Sequence, residues 1–383
     1  MRFDFVVLGA TGMQGRIASR DLLEQGYKVL LCGRDRPRVN FLLKKYSRCQ
    51  FAFTDLQRVS QTSGVIKKSK AGIVLNCAEG DWNILALQAC LRAGVHCLDL
   101  GSDISMTKRQ LAMYPLLKKK GLLHITGCGS VPGIGNVMLR YAVEKFDRVD
   151  TIEVGFAWDS NIKKFVVPFS IQSIIEEFTD PAPELVRGRF ILVNPLSTTI
   201  DAYDRFIGSQ KELLVRHPET YTFYQNYKHL GVKNVKFFAE FPLHSFEKIK
   251  TIIELGLGSK KEINFHGIKI KPVEFLAEVL KYLPIPSGYK EKEDLWVKII
   301  GKKGKERRII KMSCLVNTLP GWEDAGCNID TGMTISIIGQ MIYQKLIPER
   351  GCFAPESVVP TRAFFAELSK RHMKVFENGK KVN

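Results

Sequence analysis

The run FVVLGATGMQG, residues 5 to 15, decides how this chain is read. Four consecutive apolar residues, Phe5 to Leu8, suit a strand buried on both faces. Glycines follow at 9, 12 and 15, and then an amphipathic helix, GMQGRIASRDLLEQ, with Ile17 and Leu22 on one face and Gly26 as its stop. A strand that turns through spaced glycines into a helix is a dinucleotide-binding turn. Gly9 permits the sharp turn. Gly12 lets backbone approach a pyrophosphate, and Gly15 lets the helix pack close to the strand. Thr11 and Met13 flank that approach, where the first helical amides attract an anion.

The same alternation continues outward. Apolar strands are predicted at 27–32, 49–54, 72–78, 95–101 and 122–127, with helices at 37–46, 56–69, 81–94 and 105–120 between them. Six such strands in the first third make a doubly wound parallel sheet of the α/β class. The second strand exits as LLCGRDRPR, residues 30–38. A site for NAD(H) places an acid there for the ribose hydroxyls; this chain has Gly33 and then Arg34, a permanent cation suited to a 2′-phosphate. NADP(H) is therefore the preferred cofactor, with Arg36 and Arg38 close by and NAD(H) possible. Ligands of such sheets lie outside the carboxyl ends of the strands. Asp55, Asn76, Cys77 and Ala78 therefore join the cofactor set. Asp99–Asp103 and the glycine-rich GCGSVPG, residues 127–133, stand on the substrate side.

From about 149 the pattern changes. DTIEVGFAW, NVKFFAEF, KIKTIIELGL, EINFHGIKI, LWVKIIG and RRIIKMSCLV read as longer strands, some separated by turn signals such as HG and GKKGK. They predict a second α+β domain with a mixed or antiparallel sheet. The apolar helix TGMTISIIGQMIYQKL, beginning at Thr331, is expected to return to the first domain. The division is therefore 1–130 with 331–383 for the dinucleotide, and 131–330 for substrate binding and dimerisation.

Composition narrows the function classes. No apolar run approaches the roughly 18 residues of a membrane span, and the N-terminus lacks signal-peptide flanks, so a cytoplasmic protein without a membrane partner is expected. Nine cysteines without a CxxC pair read as reduced thiols, and no metal is implied. The net charge of +18 comes from short, scattered lysine runs without interleaved aromatics. This argues against a nucleic-acid partner and for small anionic ligands.

Residue types in the presumptive crevice supply candidates. Asp99 and Asp103 are placed as catalytic or amine-binding acids, with Asp103 also suited to cap the helix after it. Cys128 is placed beside substrate or nicotinamide. Pro132, Gly133 and Tyr224 are assigned to substrate binding.

Several stretches together resemble the saccharopine dehydrogenase-like NAD(P) oxidoreductases, particularly the lysine 6-dehydrogenase branch. They are GVHCLDLGSD (94–103), GCGSVPGIGNVM (127–138), FSIQSIIEEFTDPA (169–182), TGMTISIIGQMI (331–342) and RGCFAPESVVP (350–360). The resemblance implies hydride transfer at a carbon–nitrogen bond of an amino acid or amine, with lysine as the leading substrate, and a homo-oligomer, expected to be a dimer. Two departures stand out. Saccharopine reductases tend to carry an acid where this chain has Val131, which disfavours saccharopine itself. The family's Arg-Tyr-Pro-Gly-His-like run aligns here with EFPLH, so that Glu240 replaces a carboxylate-binding arginine and His244 matches the histidine, which adds His244 to the substrate-binding set. Two alternatives follow from these residues: an acyl-phosphate reductase with Cys128 as nucleophile, and an NADP(H) sensor without turnover.

Overall fold

The computed structural model describes residues 2–167, 170–280 and 282–383; Phe169 of the FSIQSII motif lies outside them. The first sheet has seven parallel strands. Six come from the predicted alternation: β1 (Phe5–Leu8), β2 (Val29–Gly33), β3 (Cys49–Phe53), β4 (Ile73–Asn76), β5 (His96–Asp99) and β6 (Leu123–Ile125). The strand Gly351–Phe353 adds a seventh beside β6. Their order, 3-2-1-4-5-6 and then the added strand, reverses between β1 and β4, and a crevice opens at such a point. Phe5, Val6, Val7 and Leu8 are all fully buried, because helices cover both faces of the sheet.

The second sheet is mixed and has ten strands. Its centre is Arg148–Ser160, parallel to Asn234–Phe241 and antiparallel to Glu291–Lys303, which pairs in turn with Glu306–Asn317. One predicted strand is corrected. KIKTIIELGL belongs mostly to the helix Leu243–Glu254. Its β-branched residues favour a strand locally, but the buried Phe246 and Ile249 share one helical face and tertiary packing prevails. HG is a true hairpin turn: His266 and Gly267 both have positive φ, as a two-residue turn requires.

The returning helix is Ile329–Tyr343. It packs on helix α1 (Met13–Glu24), where a Cβ at Gly332 would stand 2.5 Å from the Ile17 Cβ. Buried Asp21 of α1 accepts from Ser336 (2.6 Å), Gln340 (3.2 Å) and Arg371 (2.7 and 2.9 Å), so a desolvated charge is fully paired. The assignment of all of 331–383 to the first domain needs amending at its end. Lys374–Glu377 pairs with Glu306–Asn317 in the second sheet, burying Val375.

Candidate functional site

The cradle at the β1–β4 reversal is built by close backbone contacts. Gly9 has φ +70°, and a Cβ there would lie 2.7 Å from the Ala78 amide nitrogen. At Gly15 a Cβ would meet the Gly9 oxygen at 2.2 Å, which explains how α1 comes so near the turn. Gly12 is the N-cap of α1 and no side chain caps the helix, so its first amides are open to an anion. Thr11 packs over Gly33, where a Cβ would fall 2.8 Å from Thr11 Oγ1. Met13 opens the helix and is half-buried.

Beyond Gly33 the charge is positive. Arg34 is exposed and makes no ion pair among the described residues. Arg16 donates to the Thr11 carbonyl (3.2 Å); burial first, and then Arg38, lowers its pKa, against an opposing pull from Asp324. A dinucleotide pyrophosphate fits the open amides, and a 2′-phosphate fits the arginines. Asp55 bonds within its own loop, to the Gln57 amide at 3.0 Å. Asn76 donates to Asn83 (2.8 Å), Ala78 lines the turn, and Cys77 is buried with its thiol pKa raised by burial.

The three sequence candidates for catalysis come to different places. Asp99, at the end of β5, is buried and its oxygens are fully engaged. Oδ1 accepts from the Gly101 amide (2.8 Å), the Thr126 hydroxyl (3.0 Å) and the Gly127 amide (3.2 Å). Oδ2 accepts from Gln110 and lies 3.2 Å from His124 Nε2. Burial would raise its pKa, but His124, Gln110 and Gly101 outweigh that and hold it below the ordinary carboxylate range. Asp99 ties two loops together, and both of its oxygens are committed to protein partners. Asp103 caps the helix Ile104–Leu111, accepting from the Met106 amide at 2.7 Å. Cys128 is fully buried, its Sγ 3.5 Å from the Ile125 carbonyl, and burial lifts its pKa well above that of a free thiol. A buried, protonated thiol is a poor nucleophile, so the acyl-phosphate reductase reading is set aside.

Asp99 shapes the floor. Pro132 packs against Gly101 and Gly127: a Cβ at either glycine would meet the proline ring at 2.9 Å. Gly133, at φ +140°, donates to Asn136 Oδ1 (2.7 Å), and Asn136 donates to buried Glu356 (2.7 Å). Pro132 and Gly133 thus belong to a tightly packed loop, and Pro132 lines a small cavity with Pro218 and Thr222 of the second domain.

The wall contributed by the second domain differs from expectation. Tyr224 packs edge-on to Phe190, with centroids 6.1 Å apart, away from the loops 99–103 and 127–133; Tyr221 instead meets Lys108 of the first domain. His244 neighbours Asp159 (4.0 Å), Lys163 and Lys248, and the structure does not bring it to those loops either. Glu240 is buried in its strand, accepts from Trp296 Nε1 (2.7 Å) and has its pKa raised to about 8 by burial and by Glu212. EFPLH is therefore no carboxylate site. The second-domain run Arg216-His217-Pro218-Glu219 borders those loops through its proline. Pro218 lines a small cavity together with Gly101, Gly127, Pro132, Asn136 and Thr222. Arg216 pairs with Asp180 (3.2 Å) and Glu176 (3.9 Å) of the helix Ile171–Thr179 and its continuation. Glu79, on the β4 loop opposite, is close enough to Glu176 that burial, Asp81 and Glu176 raise its pKa. Arg216 stands two residues before Pro218, the same spacing that sets Glu240 before Pro242.

Sequence reasoning also missed an acid pair behind the nucleotide turn. Glu293 and Asp330 share a hydrogen bond, and burial raises both pKa values, Asp330 to about 7. Thr331 beside them donates to Ser130 Oγ (3.1 Å), and Gln14 of α1 donates to Asn328 (3.2 Å). No local pattern joins these residues; the sheet and the returning helix do.

Comparison with known proteins places the chain in a family. Residues 5–125 match the saccharopine dehydrogenase NADP-binding domain, and residues 129–373 match the saccharopine dehydrogenase C-terminal domain. A curated relative, the carboxyaminopropylagmatine dehydrogenase of Synechocystis sp., is 23% identical over 380 residues, covering 95% of each chain. Among solved structures, apo saccharopine dehydrogenase (L-Glu forming) from Saccharomyces cerevisiae superposes over 100% of both chains, with a TM-score of 0.77 at 12% identity; at that identity the likeness speaks for the fold.

Proposed function

The chain belongs to the saccharopine dehydrogenase family, and we propose that within it the enzyme oxidises the amine of a basic amino acid, lysine first among them, or reduces the corresponding imine. It is an NADP(H)-dependent oxidoreductase acting on CH–NH or CH–NH2 donors of amino-acid-like substrates; the substrate itself is the proposal. One observation carries it: Arg216 pairs with Asp180 and Glu176 at the end of the helix Ile171–Thr179, where Glu176 also neighbours Glu79 of the β4 loop and Glu177 neighbours His217. A substrate with a carboxylate at one end and a cationic amine at the other meets complementary charge at both.

Bound NADP+ supplies the hydride acceptor. The chain's own residues orient the donor carbon and manage charge. Arg216, held by Asp180, binds the carboxylate. The rigid loop with Pro132 and Gly133 forms the floor, and Asp99 positions it. With lysine, hydride leaves the ε-carbon, and the resulting imine hydrolyses to a semialdehyde that cyclises. The absence of an acid at Val131 disfavours saccharopine. The name of the curated relative favours one second reading, a carboxyaminopropyl-substituted agmatine, whose cationic end the same acids suit.

The test follows nicotinamide absorbance with purified protein across basic amino acids, polyamines, saccharopine and carboxyaminopropylagmatine. Turnover of a basic amine with NADP+, and little with NAD+, is the expected result. Turnover of saccharopine alone would overturn the substrate reading. Homo-oligomerisation is part of the proposal. The strand Arg189–Val193 exposes Phe190, Ile191 and Leu192 at 44%, 45% and 71%, an apolar edge suited to a second copy, and light scattering measures it.

A further inference from the structure

A half-buried histidine and its buried carboxylate flank Pro218 on the second-domain loop, where the mechanism so far assigns no proton acceptor. His217 Nδ1 lies 2.8 Å from Glu219 Oε2. Its ring stacks on Phe237, with centroids 3.8 Å apart and planes 12° off parallel, so its orientation is fixed. With Nδ1 occupied, Nε2 is left without a protein partner among the described residues, and 17% of the side chain stays open. Glu219 is fully buried, and its second oxygen, Oε1, has no hydrogen bond. Glu177 of the facing helix also has a shielded oxygen, Oε2, without a partner. Two unpaired carboxylate oxygens around a fixed imidazole are costly unless a donor arrives. Pro218, between the two members of the pair, lines the cavity that contains Gly101, Gly127 and Pro132.

We infer that His217, oriented by Glu219, is the general base for the substrate nitrogen, and that Glu177 holds that nitrogen as it arrives as an ammonium. The inference rests on the proposed amine oxidation. The ammonium gives one proton to His217 Nε2. The free amine's lone pair then forms the C=N bond as the carbon's hydride, with both its electrons, passes to NADP+. The products are an iminium ion, NADPH and one proton, which leaves His217 for solvent. In the reverse direction protonated His217 returns that proton to nitrogen.

The charges around the ring set the direction of its pH dependence. Burial would lower the His217 pKa, but Glu219 and Glu177 outweigh it, with Arg216 opposing them, and the net shift is upward. Glu176, Asp180 and Lys260 complete the charged surroundings on the helix side, and Glu79 faces them from the β4 loop. The base form therefore appears only above the ordinary imidazole range, and amine oxidation should rise with pH across that limb.

The experiment uses the full-length protein and three variants. His217→Gln is expected to lower kcat at least about 100-fold and to abolish the rising limb, while NADPH binding, read by fluorescence, stays unchanged. Imidazole in solution should partly restore His217→Ala. Glu219→Gln should move the limb to lower pH and lower kcat more than it raises KM. A His217→Gln enzyme that keeps its limb, with kcat within twofold of wild type, overturns the inference while the amine-oxidation reading stands. Should wild type oxidise nothing in the panel, the proposed substrate fails and the pair is judged by NMR. The His217 imidazole signal, one of seven histidines and assigned by its loss in His217→Gln, should titrate above the ordinary range and shift on adding cationic amines with NADP+. A signal unmoved by every amine overturns the inference.

Discussion

Two histidine–carboxylate pairs of the chain, each with a buried acid, differ in how much hydrogen-bonding capacity they leave unused. In Asp99–His124 the side chains are 1% and 0% exposed, and Gly101, Thr126, Gly127 and Gln110 fill the remaining acceptor sites. In Glu219–His217 the histidine keeps an open edge and the acid keeps a vacant oxygen. The first pair fastens β5 to β6 and shapes the loop carrying Pro132. The second flanks Pro218, which lines the small cavity beside that loop. An acid beside a histidine therefore says little about catalysis until its unused hydrogen-bonding capacity is counted.

The sharpest way to break this contrast is Asp99→Ala. Removing one partner of a fully satisfied buried pair should cost about 3–5 kcal/mol, read from denaturant unfolding, and activity should fall only as the fold does. Glu219→Gln should cost far less stability. If the two costs are equal, the distinction between fastener and site fails. A second test moves to the cofactor end. Arg34→Glu should weaken NADPH binding roughly 10- to 100-fold, as expected for a lost charge-assisted contact turned repulsive, and leave NADH binding nearly unchanged. Equal losses for both cofactors would remove Arg34 from the 2′-phosphate site.

The pH dependence of stability sharpens the comparison further. Burial disfavours protonated His124, but Asp99 outweighs it and raises the pKa to about 10. A raised folded-state value means its contribution is complete below the unfolded histidine value of about 6.5 and is lost as pH climbs toward 10. The stability gap between wild type and Asp99→Asn should therefore narrow from pH 7 to pH 10, measured by thermal unfolding. A constant gap would show that the pair is not held as an ion pair. The smallest effect is expected at Cys128. Cys128→Ala should keep kcat within about twofold, and thiol alkylation of the native protein should leave activity intact, because the thiol is buried. Rapid inactivation would return Cys128 to the site.

How much of this was legible in the sequence follows from how local each device is. The nucleotide turn occupies eleven consecutive residues, and each glycine's role depends on backbone only a few ångströms away. Arg34 and the helix cap at Asp103 are read equally locally. Asp99 was correctly placed at a strand end, but its saturation depends on Gln110, His124 and Thr126, which only the parallel pairing of β5 with β6 brings together. Glu293 and Asp330 join through the second sheet and the returning helix in the same way. The run Arg216–Glu219 does not stand out locally, because two runs in one domain carry a proline two residues after a charged one. The strand Asn234–Phe241 carries Glu240 into the sheet, whereas the loop after Gly208–Leu214 emerges at the crevice.

The chain's path between the two sheets has a mechanical consequence. It crosses from first to second after the helix Ile134–Val143, returns ahead of Ile329–Tyr343, and crosses again before Lys374–Glu377. Three crossings stitch the halves like a seam with two backstitches, where a single thread would let them swing as on a door hinge. The seventh strand of the nucleotide sheet and the helix seated on α1 are contributed only after the second half has been threaded. The two halves should therefore melt in one calorimetric transition. Widening the cleft must bend three spans of backbone together, which favours a shallow flexing over a wide swing as the motion that admits substrate.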